Sequence, residues 1–395
     1  MQVQAQQWQA LTNEFPFVTV TSITQDAYGI LWFGTRGGLV EYNGYTFQNF
    51  INTTEVGSLQ SSYIQSLLVD HQNRLWVGCR LTKGLQLYDR NKKQFRLFRF
   101  FNSEENSPVE QIDIYSIAED LDGLLWIGTD QGLYTFDPAT EQTIENVHKH
   151  HSEDPFALTT NTIWSLYVDH SNTVWVGSTN GLNRYNRETQ KFANFNNQDH
   201  YLKGQILTIK ETTEKELWVS ARRSKDKIYR YLPALDSFEP VYQFPDTVGI
   251  YFNFDFSQDG SCWIASRSWG ALKLDLEKDT LTFFDGHKGA IHGLSEYRNQ
   301  VVFVDRFENV WIGGTRLYKL PGSNKKFDHI KGNGYAVISI LDIGKEVIYG
   351  LNDPFVWNKE TRQSKPFWNF GEVKNVRDNI KRSTYPKLIY EIQRF

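Results

Sequence analysis

A Trp followed by an apolar residue and then a small one recurs along this chain, and no other feature constrains its fold as tightly. The copies are Trp32-Phe33-Gly34, Trp76-Val77-Gly78, Trp126-Ile127-Gly128, Trp175-Val176-Gly177, Trp218-Val219-Ser220, Trp263-Ile264-Ala265 and Trp311-Ile312-Gly313, with a weaker one at Ile348-Tyr349-Gly350. They follow one another at roughly 38 to 50 residues, the length of one propeller blade. Each copy repeats the same internal order. Apolar pairs such as Val20 and Ile23, or Ile163 and Leu166, mark a first strand, and Asp26, Asp70, Asp120, Asp169 and Asp305 stand six residues before their Trp to open a turn. The Trp strand is second. Gly38-Leu39, Gly84-Leu85, Gly132-Leu133 and Gly181-Leu182 begin a third, and Phe47, Phe95 and Phe192 belong to a fourth.

Four short antiparallel strands cannot cover both their own faces, so such units must stack on one another, and radial closure protects their edges. The sequence therefore predicts an all-β fold, a propeller of seven to eight four-stranded antiparallel blades, with eight slightly favoured. It is expected to occupy residues 1–370, with 371–395 as an extension or the start of a further, truncated repeat around Lys387–Ile392. The repeated Trp is assigned to the core between blades. Trp8-Gln9-Ala10-Leu11 resembles an isolated outer strand, suited to closing the ring by pairing with the last blade.

Composition agrees with this reading: aromatics are 15% of the chain and Gly outnumbers Pro by 28 to 11, which favours strands and tight turns. The net charge of −4 gives no basis for general nucleic-acid binding. Cys79 and Cys262, the only cysteines, are too few for a disulfide framework or a thiolate zinc site and are read as small, reduced core residues. No apolar run is long enough for a transmembrane helix, and the first residues show no signal-peptide pattern.

The run from Ser22 through Asp26, Gly29, Trp32-Phe33-Gly34 and Gly38-Leu39 to Tyr42 resembles the two-component regulator propeller repeat, as does Asp120 through Trp126-Ile127-Gly128 to Gly132-Leu133. Repeats two to four match nearly as well as the first, and repeats five to eight depart at Ser220, Ala265 and Tyr349. The resemblance implies the periplasmic, ligand-detecting half of a membrane-bound sensor, often a hybrid histidine kinase. It implies a small-molecule or oligosaccharide ligand, and a kinase output domain or second propeller beyond the chain end. No cofactor or metal, no nucleic acid and no membrane segment is expected in this chain. Similar propellers also occur among polysaccharide lyases and glycosidases, so fold alone does not assign function.

In a blade, the second-to-third loop and the loop entering the first strand open on one face, and the first-to-second turns open on the other. The second-to-third loops carry nine basic residues against two acidic, and the turns ten acidic against three basic. One mouth is thus expected to be positive. Turn chemistry alone explains the Asp residues, whereas Arg serves where a planar fork must hold a carboxylate or sulfate. The candidate ligand-binding residues are Arg36, Arg80, Lys83, Tyr115, Trp164, Arg222, Arg223, Arg267, Trp269 and Arg316, with Tyr63 and Phe252 near the same face. His148, His150 and His151 cluster in one loop without the settled spacing of a metal site. No G-x-S-x-G, H-E-x-x-H, P-loop or dinucleotide fingerprint is present. The expected function is non-catalytic sensing of an anionic or carbohydrate ligand; a lyase or hydrolase and a protein-docking propeller are the competing readings.

Overall fold

The structure is a computed structural model. It describes residues 8–11, 15, 19–102, 107–140, 144, 146–195, 202, 204–222, 227–242, 244, 253–266, 270–278, 280–284, 301–314, 316–322, 339–342, 346–350, 355–358 and 363–366. The chain divides into two compact units, Met1–Asn324 and Lys325–Phe395.

The first unit is a ring of seven four-stranded antiparallel sheets. Blade one runs Val20–Gln25, Leu31–Thr35, Gly38–Tyr42 and Phe47–Phe50 in spatial order, and blades two to six repeat that meander. Blade seven takes Val301–Val304, Val310–Gly313 and Leu317–Leu320 from its own repeat, and its fourth strand is Gln9–Ala10 from the other end of the unit. Gln9 pairs with Lys319 and Ala10 with Tyr318, Leu11 N–H donates to the Leu317 carbonyl at 3.0 Å, and Trp8 packs edge-on against Trp263 and Phe284. The strand predicted at Trp8–Leu11 therefore closes the ring.

The count of blades is seven, the lower of the two the repeat allowed. The eighth copy, around Tyr349, builds a four-stranded sheet of its own (Ser339–Asp342, Glu346–Gly350, Phe355–Asn358, Gln363–Pro366) within the second unit. Residues 371–395, including Lys387–Ile392, lie outside the described residues.

Each seam between neighbouring blades holds one apolar cluster, and there are seven such clusters around the ring. One indole of the repeat sits in each, and none of the seven is more than 5% exposed. A buried residue of this size contributes more apolar surface than any other, which is why the repeat spends its Trp there. The Gly two positions on has a matching reason. A Cβ on Gly128 would stand 2.5 Å from Ser116 Oγ and 2.7 Å from Ile163 of the next blade, so only a hydrogen lets the blades approach. Gly34, Gly78 and Gly177 meet the same Ser-and-Ile pair.

The Asp six residues before the Trp does more than open a turn. Asp120 Oδ1 accepts the N–H groups of Asp122 and Leu124, each at 3.0 Å. Its Oδ2 accepts the Trp126 indole N–H at 2.9 Å and the Arg187 guanidinium of blade four at 2.9 Å. Asp26, Asp70, Asp169 and Asp305 bind their own indoles at 2.8–3.0 Å, and Arg90 of blade two reaches back to Asp26. In blade five the position is Thr212, and the Trp218 indole N–H instead reaches Glu216 at 3.4 Å. Both cysteines are buried free thiols in different seams, and burial pushes Cys79 up to about 12.

Candidate functional site

In five consecutive blades the innermost strand carries one residue more than its partner can match. In blade three the pairing passes from Ile114 with Thr129 to Ser116 with Gly128, leaving Tyr115 as a bulge. The same slip leaves Thr21, Gln65, Trp164 and Leu207 in blades one, two, four and five. A bulge turns its extra side chain out of the regular ladder, a device common at barrel rims and binding sites.

Beside each bulge, the first N–H of the second-to-third loop donates to the carbonyl of the residue entering the first strand. The pairs are Arg36 to Thr19, Arg80 to Tyr63, Asp130 to Asp113, Thr179 to Thr162 and Arg222 to Gln205, at 2.8–3.1 Å. These bonds bring both loops to one mouth of the ring, as the sequence predicted.

On that mouth, side chains from four blades form one continuous run. Tyr115 and Trp164 stack with centroids 4.2 Å apart and planes 22° from parallel, and the Trp164 indole N–H donates to Thr179 Oγ1 at 3.2 Å. On the other side the Arg80 guanidinium lies 5.5 Å from the Tyr115 ring and 5.1 Å from Tyr63. Arg36 covers Tyr63 in turn, at 5.3 Å. Such cation–π and stacked contacts are each worth about 0.5–1.5 kcal/mol, and together they hold the rings and forks in fixed positions.

Asp113 locks the middle of the run. This buried carboxylate accepts Arg80 Nε at 2.8 Å and Nη2 at 2.7 Å, Leu81 N–H at 2.8 Å and the Tyr115 hydroxyl at 3.3 Å. Burial first, and then the Asp113 charge, push the Tyr115 phenol up to about 12. Arg80 is raised as well: burial opposes this, and the hydrogen bonds to Asp113 and Tyr63 outweigh it.

The entry loops supply acids that the charge count over the second-to-third loops leaves out. Asp113 neutralises Arg80, and Glu110 faces Lys83 at 3.4 Å. Arg36 is exposed and has no carboxylate within salt-bridge distance among the described residues. Arg222 Nη1 donates to Gln205 Oε1 at 3.3 Å, and Arg316 is half-buried in the loop of blade seven. Arg223, Arg267, Trp269 and Phe252 lie outside the described residues. The structure thus joins Arg36, Arg80, Tyr115 and Trp164 in one network, with Tyr63 and Asp113 as its other members. Asp113 carries a faint sequence signal, a carboxylate immediately before an apolar first strand.

At the opposite mouth Asp26, Asp70, Asp120 and Asp305 are only 3–5% exposed and turn inward to their indoles, so they do not form a ring of open acid. In the histidine loop, His148 is half-buried with its ring nearly parallel to that of Trp126, and its partial burial lowers its pKa. His150 Nδ1 is tied to the Leu158 carbonyl, and His151 is exposed. Among the described residues, no three His, Cys, Asp or Glu side chains converge as metal ligands.

Residues 14–37, 58–80 and 157–180 match the family described as two component regulator propeller. Over 307 residues the chain is 28% identical to histidine kinase P4 of Formosa agariphila, covering 75% of this chain and 22% of that protein. The extracellular domain of a hybrid two-component system from B. thetaiotaomicron superposes with a TM-score of 0.67 at 20% identity, covering 93% of this chain and 50% of that one. Virginiamycin B lyase from Staphylococcus aureus superposes at 0.59 and 12% identity, covering 80% of this chain and 98% of the lyase. At such identities the superpositions show a common fold and no more. The chain spans about a fifth of the kinase and half of the first sensor domain. With seven blades, a Trp in every seam and three stretches that match the family model, the chain is a seven-bladed propeller whose repeats are similar to those of the two-component regulator propellers.

Proposed function

We propose that this propeller is the extracytoplasmic, ligand-receiving part of a two-component sensor, that it binds its ligand at the mouth lined by Arg36, Tyr63, Arg80, Tyr115 and Trp164 without chemical conversion, and that it passes occupancy to a kinase output domain. The observation that carries this reading is the run of stacked rings and guanidinium groups across four blades. Fixed aromatic faces beside hydrogen-bonding groups are what a small-ligand site requires, and rigid placement lowers the entropy cost of binding. The state of Tyr115 also favours binding over catalysis. A general base needs a pKa near the working pH, and a phenol pushed up to about 12 keeps its proton.

The test is calorimetry of the purified chain against a panel of neutral and acidic oligosaccharides, with product analysis in parallel. Trp164→Ala and Arg36→Ala should each weaken binding about tenfold, equal to about 1.4 kcal/mol, while oligosaccharides stay intact. Unsaturated ends appearing in a uronate-containing substrate would establish a lyase instead. Unchanged affinity in both variants would remove the mouth from the argument.

A further inference from the structure

In six of the seven blades, the amide one residue past the start of the first-to-second turn donates across the seam to a side chain of the next blade. The pairs are Ala27 to Asn73, His71 to Glu119, Leu121 to Asn172, His170 to Glu211, Gln258 to Glu308 and Arg306 to Gln25, at 2.7–3.1 Å. The acceptors use only two stations. Gln25, Glu119 and Glu211 stand seven residues before their own Trp, and Asn73, Asn172 and Glu308 stand three before it. These clasps fasten the turn side of the ring from blade to blade.

Blade five has no such clasp among the described residues. Its amide belongs to Thr213, and the two acceptor stations in blade six are Phe256 and Gly260, whose side chains can accept nothing. The Thr213 hydroxyl turns instead to Glu214 of its own turn, at 2.7 Å. Two further fastenings are weaker at this seam: the Trp218 indole has no Asp and reaches Glu216 at 3.4 Å, and Ser220 stands where blades one to four have the closely packed Gly. Blade six also departs at these two positions, with Ser257 and Ala265, yet it grips blade seven firmly. Besides its clasp, Val302 N–H donates to Asn253 Oδ1 and Val304 N–H to Asp255 Oδ2, each at 2.9 Å. Towards blade five the same two residues meet side chains instead. Asp255 Oδ1 pairs with Lys210 Nζ at 2.6 Å, and Asn253 Nδ2 donates to Thr208 Oγ1 at 3.2 Å. A Lys on its flexible stem follows a movement that a main-chain bond would resist.

Folded proteins open locally where the fewest bonds must break. We infer that the ring has one unfastened joint, on the turn side between blades five and six, and that the folded propeller opens there ahead of its clasped seams.

The two cysteines report on this directly. Cys262 is buried in the unfastened seam and Cys79 in the clasped seam between blades one and two, so a reagent reaches either thiol only when its seam opens. The folded chain would be treated with iodoacetamide and each site followed by mass spectrometry, its rate divided by that in the urea-unfolded chain. Cys262 should react at least tenfold faster than Cys79. Gly260→Asn supplies the missing acceptor, and the site accommodates it: Gly260 has φ +76°, Asn73 and Asn172 hold the same station at 60° and 63°, and a Cβ on Gly260 meets no atom within 4 Å. This variant should slow Cys262 at least fivefold and leave Cys79 unchanged. Asn73→Gly, which removes the clasp between blades one and two, should hasten Cys79 and leave Cys262 unchanged. Equal normalised rates at the two thiols of the parent chain overturn the inference, as does a Cys262 rate that Gly260→Asn does not lower.

Discussion

Replacing Asp120 by Ala separates a residue that opens a turn from one that holds a seam together. The carboxylate is 4% exposed and accepts four hydrogen bonds, two from turn amides, one from the Trp126 indole and one from Arg187 of the next blade. The indole N–H lies in the seam, so losing its acceptor costs about 1–3 kcal/mol. The two turn amides regain water in part and lose about 1 kcal/mol each. Arg187 keeps Asp122 and the Asn172 side chain as partners, so its share is small. The sum is about 3–5 kcal/mol, a large fraction of the roughly 5–15 kcal/mol typical of a folded domain. Blade five supplies the internal control. Thr212 occupies the same position and accepts only the Glu216 N–H, at 3.2 Å, so Thr212→Ala should cost about 1 kcal/mol or less. Urea unfolding followed by Trp fluorescence would compare the two midpoints at constant slope. Equal shifts in the two variants, or a shift below about 1 kcal/mol for Asp120→Ala, would refute the reasoning.

Gly128→Ala should destabilise the ring by about 1–3 kcal/mol, as overpacking does, because its new methyl meets Ser116 and Ile163; a melting temperature equal to the parent's would contradict the close approach. Removing residues 1–11 takes away the fourth strand of blade seven and the Trp8 contacts, so the melting temperature should fall further than for any single substitution in a loop, as differential scanning calorimetry would show. Tyr88, Tyr115 and Tyr231 are each pushed from 10.0 up to about 12, burial being the largest cause. A raised folded-state pKa gives stability that is whole below the unfolded value and lost as pH rises through the folded one. Urea midpoints should thus decline from pH 10 towards pH 12, and a flat profile across that window would exclude the effect.

Much of the ring was legible because a repeat reports local geometry many times over. Trp126 could be placed in a seam from spacing alone, and Gln9–Ala10 could be read as an unattached strand. The count was harder, since the strands around Tyr349 have the same local grammar as a blade, and closure at seven is decided by a pairing between distant parts of the chain. The site was legible in part. Tyr115 and Trp164 could be marked as aromatics near a first strand, but alternation with a period of two does not reveal that they are the extra residue of a bulge. Asp113 escaped because it belongs to an irregular entry loop, where neither period nor turn chemistry singles it out, and with it escaped the neutralisation of Arg80.

The bulges have a consequence for how the surface of such a propeller can vary. Thr21, Gln65, Tyr115, Trp164 and Leu207 occupy one equivalent station in five blades, yet they share neither size nor polarity. Thr21 ties blade one to blade two, its Oγ1 donating to the Ile64 carbonyl, whereas at the other four stations the apolar seam contacts are made by neighbouring residues such as Ile114 and Ile163. Four interchangeable letters are thereby written on a frame that does not depend on their spelling, so one substitution at a time can alter what the mouth presents while the wheel beneath it stays intact.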